Sequence, residues 1–163
     1  MKIMLLNGPS VNMTGAREID AFGKTAFDAM IDNLKAVATK KGHMLTCFQS
    51  NSEGQLIDWI QQAHFEHYDG LIVNPGALSH YSYALRDAIA GCGVPCVEVH
   101  LANDYRRESF RHDSVTIGAC VGHIGGFGGG YSVDDLEIRS NGAEYTIKGT
   151  VRDGNGREIA RKE

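Results

Sequence analysis

The segment Gly70-Leu71-Ile72-Val73-Asn74-Pro75-Gly76-Ala77-Leu78-Ser79-His80 passes from a short apolar run into a tight polar turn. The apolar run has the length and composition of a buried β-strand, and proline followed by glycine fixes a turn directly after it. Such a turn would hold the Asn74 amide and the His80 imidazole outside the core, at the carboxyl end of the strand. His80 is therefore a candidate catalytic residue, and a structural or solvated histidine is the alternative.

Four more β-type runs and three helical patterns flank this segment. The runs cover residues 3–6, 44–48, 94–99 and 115–121. Apolar residues recur with the helical period over residues 25–41, Ser52 and Gln55 form a capping box before a second helix, and a third helix is predicted over residues 83–90. Strands that alternate with helices need right-handed crossovers, so we predict an α/β fold with a flavodoxin-like, doubly wound parallel sheet in three layers.

The composition favours one globular domain whose partners are small molecules or other proteins. The chain has 163 residues, 42% of them apolar, and a formal net charge of −4 with both signs mixed along it. No basic stripe indicates nucleic acid or a membrane surface as a partner. The N-terminal apolar run is too short for a signal peptide or a membrane span, so we expect a cytoplasmic protein.

Two patterns that could bind metal or phosphate are interpreted as structural. The four cysteines, Cys47, Cys92, Cys96 and Cys120, lie among apolar neighbours. We expect buried thiols, with disulfides as the alternative, and no further ligands stand at zinc spacing, so no metal site is predicted. The glycine-rich run over residues 122–130 lacks the Gly-Lys-Ser/Thr ending of a phosphate loop and predicts tight backbone packing at the end of a strand.

The last part of the chain shows a different pattern. Apolar residues alternate around the Asn141-Gly142 pair, and residues 153–156 form a second turn signal. An Asn-Gly pair between alternating runs predicts a β-hairpin. We therefore divide the chain into a flavodoxin-like catalytic domain, residues 1–135, and a C-terminal β-hairpin appendage, residues 136–163, which is an oligomer contact or a loosely held arm. A disordered tail is the alternative.

Unusual polar residues cluster in loops after the predicted strands, where ligands bind in doubly wound folds. Strand alternation places Glu98 and His100 on one face, and a carboxylate so placed can orient an imidazole used as general acid or base. A purely structural ion pair is the alternative. Arg107 and Arg111 follow in a predicted helical stretch, where their spacing suits an anionic or polyhydroxylated ligand. The long polar loop over residues 7–23 fits a mobile lid, or an ordinary surface loop.

Several of these segments together form a set of ordered motifs. They are Asn7-Gly8-Pro9-x-x-Asn12, Gly15-x-Arg17-Glu18, Phe48-Gln49-Ser50-Asn51-Ser52-Glu53-Gly54, Asn74-Pro75-Gly76, His80, Glu98-Val99-His100 and Arg107-x-x-Phe110-Arg111-His112. In this order, over about residues 1–131, they resemble the type II 3-dehydroquinate dehydratases. The resemblance implies conversion of 3-dehydroquinate to 3-dehydroshikimate through an enolate, in the shikimate pathway, with neither metal nor organic cofactor. It also implies a homo-oligomer, a dodecamer built of trimers.

The resemblance implies roles for the matching residues. His100 would be the general acid, Glu98 its partner, and Arg17 the arginine that activates a base on the mobile loop. The substrate-binding positions would be Asn12, Asn74, Gly76, His80, Leu101, Ala102, Arg107 and Arg111. Of these, Arg107 would also help to close the lid. Asp87 would reach the site of a neighbouring subunit.

Three departures from the family pattern bear on activity. Phe22 stands where the family has its base tyrosine, Ser10 replaces an asparagine, and Ala102 replaces a serine. Phenylalanine has no ionisable proton, and losing such a base typically costs about 10²- to 10⁴-fold in rate. Asp20 and Tyr81 are candidate substitutes. The sequence therefore supports a dehydratase with lowered turnover, a lyase, isomerase or hydrolase acting on another small polar carbonyl compound, or a catalytically silent metabolite-binding relative.

Overall fold

A five-stranded parallel sheet forms the centre of the chain. The computed structural model describes residues 1–16, 20, 25–128, 132–140, 145–152 and 158–162. The strands are β1 (Lys2–Asn7), β2 (Met44–Gln49), β3 (Gly70–Asn74), β4 (Cys96–His100) and β5 (Gly122–Gly125). They pair in parallel in the order β2-β1-β3-β4-β5. This is the strand order of flavodoxin-like doubly wound sheets, so the predicted fold class is confirmed.

Three α-helices connect the first four strands: α1 (Phe27–Lys40), α2 (Glu53–Phe65) and α3 (Tyr83–Cys92). Ser52 caps α2 as predicted, because its hydroxyl oxygen accepts a hydrogen bond from the Gln55 amide at 3.4 Å. Ser82 caps α3 in the same way, at 2.9 Å from the amide nitrogen of Leu85. Each cap satisfies a backbone donor that has no partner within its helix, which explains where these two helices begin.

The main core lies on one face of the sheet, between the strands and the helices α2 and α3. Its most buried apolar side chains are Met4, Leu6, Leu56, Ile60, Leu71, Val73, Leu85 and Ile89. Met30 and Ile31 of α1 are buried outside this cluster, and α1 packs along β2. Helices therefore cover both faces of the sheet and form the predicted three layers.

The prediction of a strand over residues 115–121 is wrong. The fifth strand is Gly122–Gly125, and the connection from β4 consists of 3₁₀ turns at Asp104–Arg106, Ser109–His112 and Ile117–Ala119. Thr116 is wholly buried, and its hydroxyl donates to a Glu98 carboxylate oxygen at 2.6 Å. The amide of Val115 donates to the Ser79 carbonyl at 2.8 Å, so this apolar segment packs beside the turn after β3 and does not join the sheet.

Glycines in and after β5 make close contacts. A Cβ atom added to Gly125 would lie 3.1 Å from the His123 ring. Gly126 has φ +92°, a conformation that favours glycine, and a Cβ there would lie 3.2 Å from the Asn103 side chain. The first part of the glycine-rich run is thus the strand itself.

A second sheet lies in the C-terminal part of the chain. Its strands β6 (Ser132–Ser140), β7 (Tyr145–Arg152) and β8 (Glu158–Lys162) are antiparallel, in the order β6-β7-β8. The first pair forms the predicted hairpin, although β6 begins at Ser132, before the position expected. The third strand was not predicted. Both predicted turn segments, residues 141–143 and 153–156, lie outside the described residues.

The four cysteine thiols are free, and Cys92 and Cys96 are buried. A hydrogen bond with Cys120, together with burial, raises the pKa of the Cys96 thiol far above its ordinary value. Burial likewise raises the pKa of the Cys47 thiol. Within the described ranges, no helix has the length and apolar character needed to cross a membrane.

Candidate active site

A cavity of about 170 Å³ opens at the carboxyl ends of β1, β3 and β4. Eight residues predicted to bind substrate or transfer protons line it: Asn74, Gly76, His80, His100, Leu101, Ala102, Arg107 and Arg111. These residues are separated in the sequence and come together because the parallel strands deliver their following loops to one edge of the sheet.

Two turns that cross each other form one wall of the cavity. The Gly8 amide donates to the Asn74 carbonyl at 2.7 Å, and a Cβ atom at Gly8 would lie only 2.5 Å from the Pro75 carbonyl oxygen. Gly76 has φ +58°, and a Cβ there would lie 3.1 Å from the Pro9 carbonyl oxygen. Both turns need glycine where they touch, which explains the glycine in each motif.

The Asn74 side chain is buried in the same wall. Its amide oxygen accepts a hydrogen bond from the Gly76 amide at 3.2 Å. This bond orients the side chain, because the oxygen is committed to the backbone and the NH₂ group remains as a donor. A donor on the cavity wall suits a hydroxyl or carbonyl oxygen of a ligand.

Glu98 and His100 make the contact that strand alternation predicts. The Nε2 atom of His100 lies 2.7 Å from Oε1 of Glu98, whose side chain is wholly buried. Thr116 donates to the other carboxylate oxygen at 2.6 Å, and the Ser114 hydroxyl donates to Oε1 at 3.3 Å. The carboxylate is therefore fixed, and its oxygen accepts the Nε2 proton of His100. The Nδ1 side of the ring is left for other contacts.

A second carboxylate, which the sequence interpretation missed, faces the Nδ1 side. Oδ2 of Asp104 lies 3.3 Å from Nδ1 of His100, and Asp104 lines the cavity. A neutral imidazole carries one N–H group, so it can donate to only one of the two carboxylates, whereas the imidazolium ring can donate to both. The four-residue separation from His100 was the available signal, but it has meaning only once the following turn is known.

His80 is held by the chain that follows β4. Its Nδ1 atom lies 2.8 Å from the carbonyl oxygen of Asp113. A carbonyl can only accept, so Nδ1 carries the proton and the Nε2 lone pair is left for a ligand. The ring also packs edge-on against Phe110, with the ring centroids 5.9 Å apart. A single tautomer in a fixed orientation suits recognition of a hydroxyl group.

Arg107 and Arg111 both line the cavity, but not for the reason predicted. The helical stretch expected there is wrong, because the segment is divided into separate 3₁₀ turns and Arg107 has extended backbone angles. The two side chains meet at Glu108: Nε of Arg111 lies 2.7 Å from Oε2, and Nε of Arg107 lies 3.8 Å from the same oxygen. The hydrogen bond from Arg111 is the main cause that lowers the pKa of the exposed Glu108 carboxyl.

Other predicted residues lie elsewhere. Arg17 and Phe22 fall outside the described residues. Asn12 is exposed and does not line the cavity. Asp87 is exposed on α3 and lines a groove between α2 and α3. Tyr81, proposed as a substitute base, is 63% exposed and does not line the cavity.

The comparisons with known proteins agree with this architecture. A family model described as dehydroquinase class II matches residues 1–134. A 3-dehydroquinate dehydratase of Clostridium beijerinckii is 50% identical over 142 residues, which cover 85% of this chain and 97% of that protein. A 3-dehydroquinate dehydratase of Clostridium perfringens is 52% identical over 128 residues, 78% of this chain and 89% of that protein.

A solved structure is similar to this chain in both sequence and fold. The type II dehydroquinase from Butyrivibrio crossotus is 43% identical, covers 79% of this chain and 90% of that one, and superposes with a TM-score of 0.78. Fold, cavity and sequence thus define an α/β protein of the dehydroquinase type. The chain belongs to the class II dehydroquinase family.

Proposed function

We propose that the chain is a hydro-lyase that removes water from 3-dehydroquinate to give 3-dehydroshikimate. The observation that carries the proposal is the 2.7 Å contact between His100 and the wholly buried Glu98 at the edge of the cavity. A purely binding protein has no need for an imidazole oriented by a fixed carboxylate, whereas a general acid does. The relatives that carry the name 3-dehydroquinate dehydratase support the choice of reaction.

The reaction requires two proton transfers. A base takes a proton from the carbon beside the ketone and leaves an enolate, and His100 then donates a proton to the departing hydroxyl group, so that water leaves and a conjugated enone forms. Glu98 accepts the other ring N–H and stabilises the charged ring. Asn74, His80 and Arg111 would bind the substrate hydroxyl groups, and Arg107 would help to close the lid. Arg17 would be the arginine that activates a base on that loop.

The substrate carboxylate would be bound less firmly than in the family pattern. Ala102 lies in the cavity wall, buried, and has no hydroxyl group to donate. The backbone N–H groups around Leu101 and Ala102 can still serve as donors. We therefore expect a weaker affinity for the carboxylate together with a lowered turnover from the loss of the family's base at Phe22.

The direct test is to add 3-dehydroquinate to the purified chain and follow the ultraviolet absorbance of the enone. His100→Ala should lower turnover by at least about 100-fold. The matched control is His67→Asn, at an exposed histidine with φ 55°, which asparagine tolerates. Turnover that survives His100→Ala would remove His100 from the mechanism, and the absence of turnover in the unaltered chain would remove the reaction.

A second candidate function keeps the cavity and changes the substrate. The absence of a hydroxyl at Ala102 and the additional carboxylate of Asp104 favour a lyase, isomerase or hydrolase that acts on a different small polar carbonyl compound. Screening cyclic keto acids and lactams for turnover, with His100→Ala as control, tests this candidate. A catalytically silent, metabolite-binding relative is the remaining alternative, and it would bind such compounds without converting any of them.

We also propose that the chain works in the cytoplasm as a dodecamer built of trimers. Asp87 is exposed on α3 and does not line the cavity of its own chain, which is compatible with a contact to a neighbouring site. Val121, Ile124 and Phe127 are apolar and exposed, and they lie in or next to the edge strand β5. Light scattering should give about twelve times the 17.7 kDa mass of one chain. A monomer mass would contradict this assembly.

A further inference from the structure

His100 has a carboxylate on each side of its ring. Oε1 of Glu98 lies 2.7 Å from Nε2, and Oδ2 of Asp104 lies 3.3 Å from Nδ1. Two carboxylates face one imidazole, so the three side chains together are negative even when the ring is protonated. Glu98 is wholly buried, whereas the Asp104 side chain retains 19% exposure and lines the cavity. Asp104 is therefore the carboxylate that a ligand meets beside His100.

The cations of the cavity are held at a different carboxylate. Arg107 and Arg111 line the cavity and attract anions, but both contact Oε2 of Glu108, with their Nε atoms at 3.8 and 2.7 Å. Glu108 thus balances part of their charge. The described ion pair of Asp104 is the one with His100. The part of the cavity next to His100 is consequently less suited to an anion than the part next to the arginines.

The chemistry of the proposed substrate brings a second carboxylate to this place. In 3-dehydroquinate the departing hydroxyl group and the carboxylate are attached to the same carbon. Nδ1 of His100 is the nitrogen that can reach that hydroxyl group, because Glu98 accepts the Nε2 proton. The substrate carboxylate would then lie closer to Asp104 than about 8 Å, the distance over which charges still interact at physiological ionic strength.

We propose that Asp104 is a specificity-determining residue, which weakens the binding of a carboxylate on the reacting carbon and favours a neutral hydrogen-bond donor there. This inference rests on the proposed dehydration. Asp104 repels an anion at this position, and Ala102 in the same cavity has no hydroxyl group to offset the repulsion. A carboxamide has nearly the size of a carboxylate but no charge, and its NH₂ group can donate to Asp104. The ligand class that fits best is a hydroxylated ring with such an amide.

The test compares two ligands that differ in charge and hardly in shape. One is 3-dehydroquinate with its ketone reduced to a hydroxyl group, and the other is the carboxamide of that compound. Neither can form the enolate, so calorimetry measures affinity without turnover. We expect Asp104→Asn to raise the affinity for the carboxylate by at least about tenfold and to change the affinity for the carboxamide by less than about threefold.

Two further variants separate charge from structure. Asp104→Glu keeps the negative charge, so it should keep the preference of the unaltered chain for the carboxamide. Asp58→Asn removes an exposed carboxylate on α2 that does not line the cavity, and it should leave both affinities within about twofold. An increase in carboxylate affinity confined to Asp104→Asn would identify the charge of Asp104 as the cause.

Each contrary outcome points to a different error. Equal changes in both affinities would mean that Asp104 acts through the shape of the cavity, and unchanged affinities would mean that it does not meet the ligand. Either result, or a failure of both ligands to bind, overturns the role of Asp104. Turnover of 3-dehydroquinate is measured separately through the enone absorbance. Its absence together with the expected change in affinity would remove the proposed reaction and leave the selectivity.

Discussion

Ser10 has a left-handed backbone conformation, with φ 64° and ψ 4°, at the cavity wall. Its amide donates to the Asn51 side-chain oxygen at 2.9 Å, so the conformation is held by a contact from the loop after β2. Residues other than glycine and asparagine are strained there, because Cβ approaches the backbone carbonyl. The position thus keeps the cavity loop in place at a local cost.

Ser10→Asn should therefore raise the free energy of unfolding by about 0.5–1 kcal/mol, because asparagine tolerates this conformation better. Denaturant unfolding measures the change. Ser10→Ala is the control and should bring no gain, since alanine is as strained as serine. Equal stability of the asparagine and alanine variants would show that the backbone strain is not the relevant quantity.

Thr116→Val tests the support of the catalytic pair. The substitution removes the hydroxyl that donates to Glu98 at 2.6 Å and leaves a buried carboxylate oxygen without that donor. We expect a loss of about 1.5–3 kcal/mol in unfolding free energy, together with lower turnover. Thr39→Val, at an exposed position on α1, should change stability by less than about 0.5 kcal/mol. Matching effects at both positions would refute the role of Thr116.

At the residue scale, the sequence predicts contacts that follow from a regular period. Glu98 and His100 are two residues apart on one strand, and that spacing alone places them on one face. Asp104 could not be found in this way, because its approach to His100 depends on a 3₁₀ turn with no periodic signal. The arginines show the same limit, since they were expected on one helix and converge instead through Glu108.

At the scale of elements, the crossing of the two glycine turns fixes the distance between β1 and the loop after β3. Gly8→Ala would place a Cβ atom 2.5 Å from a backbone oxygen that cannot move independently. We expect a loss of about 1–3 kcal/mol in unfolding free energy. Turnover should also fall, because the added Cβ displaces the cavity wall.

Gly91→Ala is the matched control for this substitution. Gly91 lies in α3, and an added Cβ would meet no atom within 4 Å. Alanine favours the helix over glycine, so the variant should gain about 0.5–1 kcal/mol. Thermal unfolding of both variants gives the comparison. A stable Gly8→Ala variant would mean that the turns can separate without harm to the sheet.

The elements that the sequence predicts well are those with strong periods and caps. The first four strands and all three α-helices agree with the pattern to within a few residues. The fifth strand was misplaced because an apolar run, residues 115–121, resembles a strand whereas Gly122–Gly125 does not. Tertiary contacts decide here: Thr116 bonds to Glu98, and the glycine-rich segment takes the free edge of β4.

For the whole molecule, the division into a parallel domain and a C-terminal sheet makes a testable prediction. The strands β6, β7 and β8 pair with one another, and the main core cluster of described residues ends at Cys120. A chain of residues 1–131 should therefore melt within about 4 °C of the full chain, a shift worth about 1 kcal/mol or less, and should keep its turnover.

Light scattering on the same truncated chain reports the part that the tail plays in assembly. A lower mass with unchanged melting would mark residues 132–162 as an oligomer contact. An unchanged mass would mark them as an arm outside the assembly. A truncated chain that fails to fold would contradict the division at about residue 135, because the tail would then complete the core.

The hydrogen-bonded cluster of Thr116, Glu98 and His100 bears on the evolution of the protein as well as on its chemistry. Because the Glu98 carboxylate also anchors the long connection from β4 to β5, selection for a foldable protein would preserve it in descendants that no longer process any metabolite. Inheritance of Thr116 and Glu98 alone would therefore be a poor marker of retained catalysis in relatives. The imidazole of His100, on the cavity wall, is the better record of what a lineage still does.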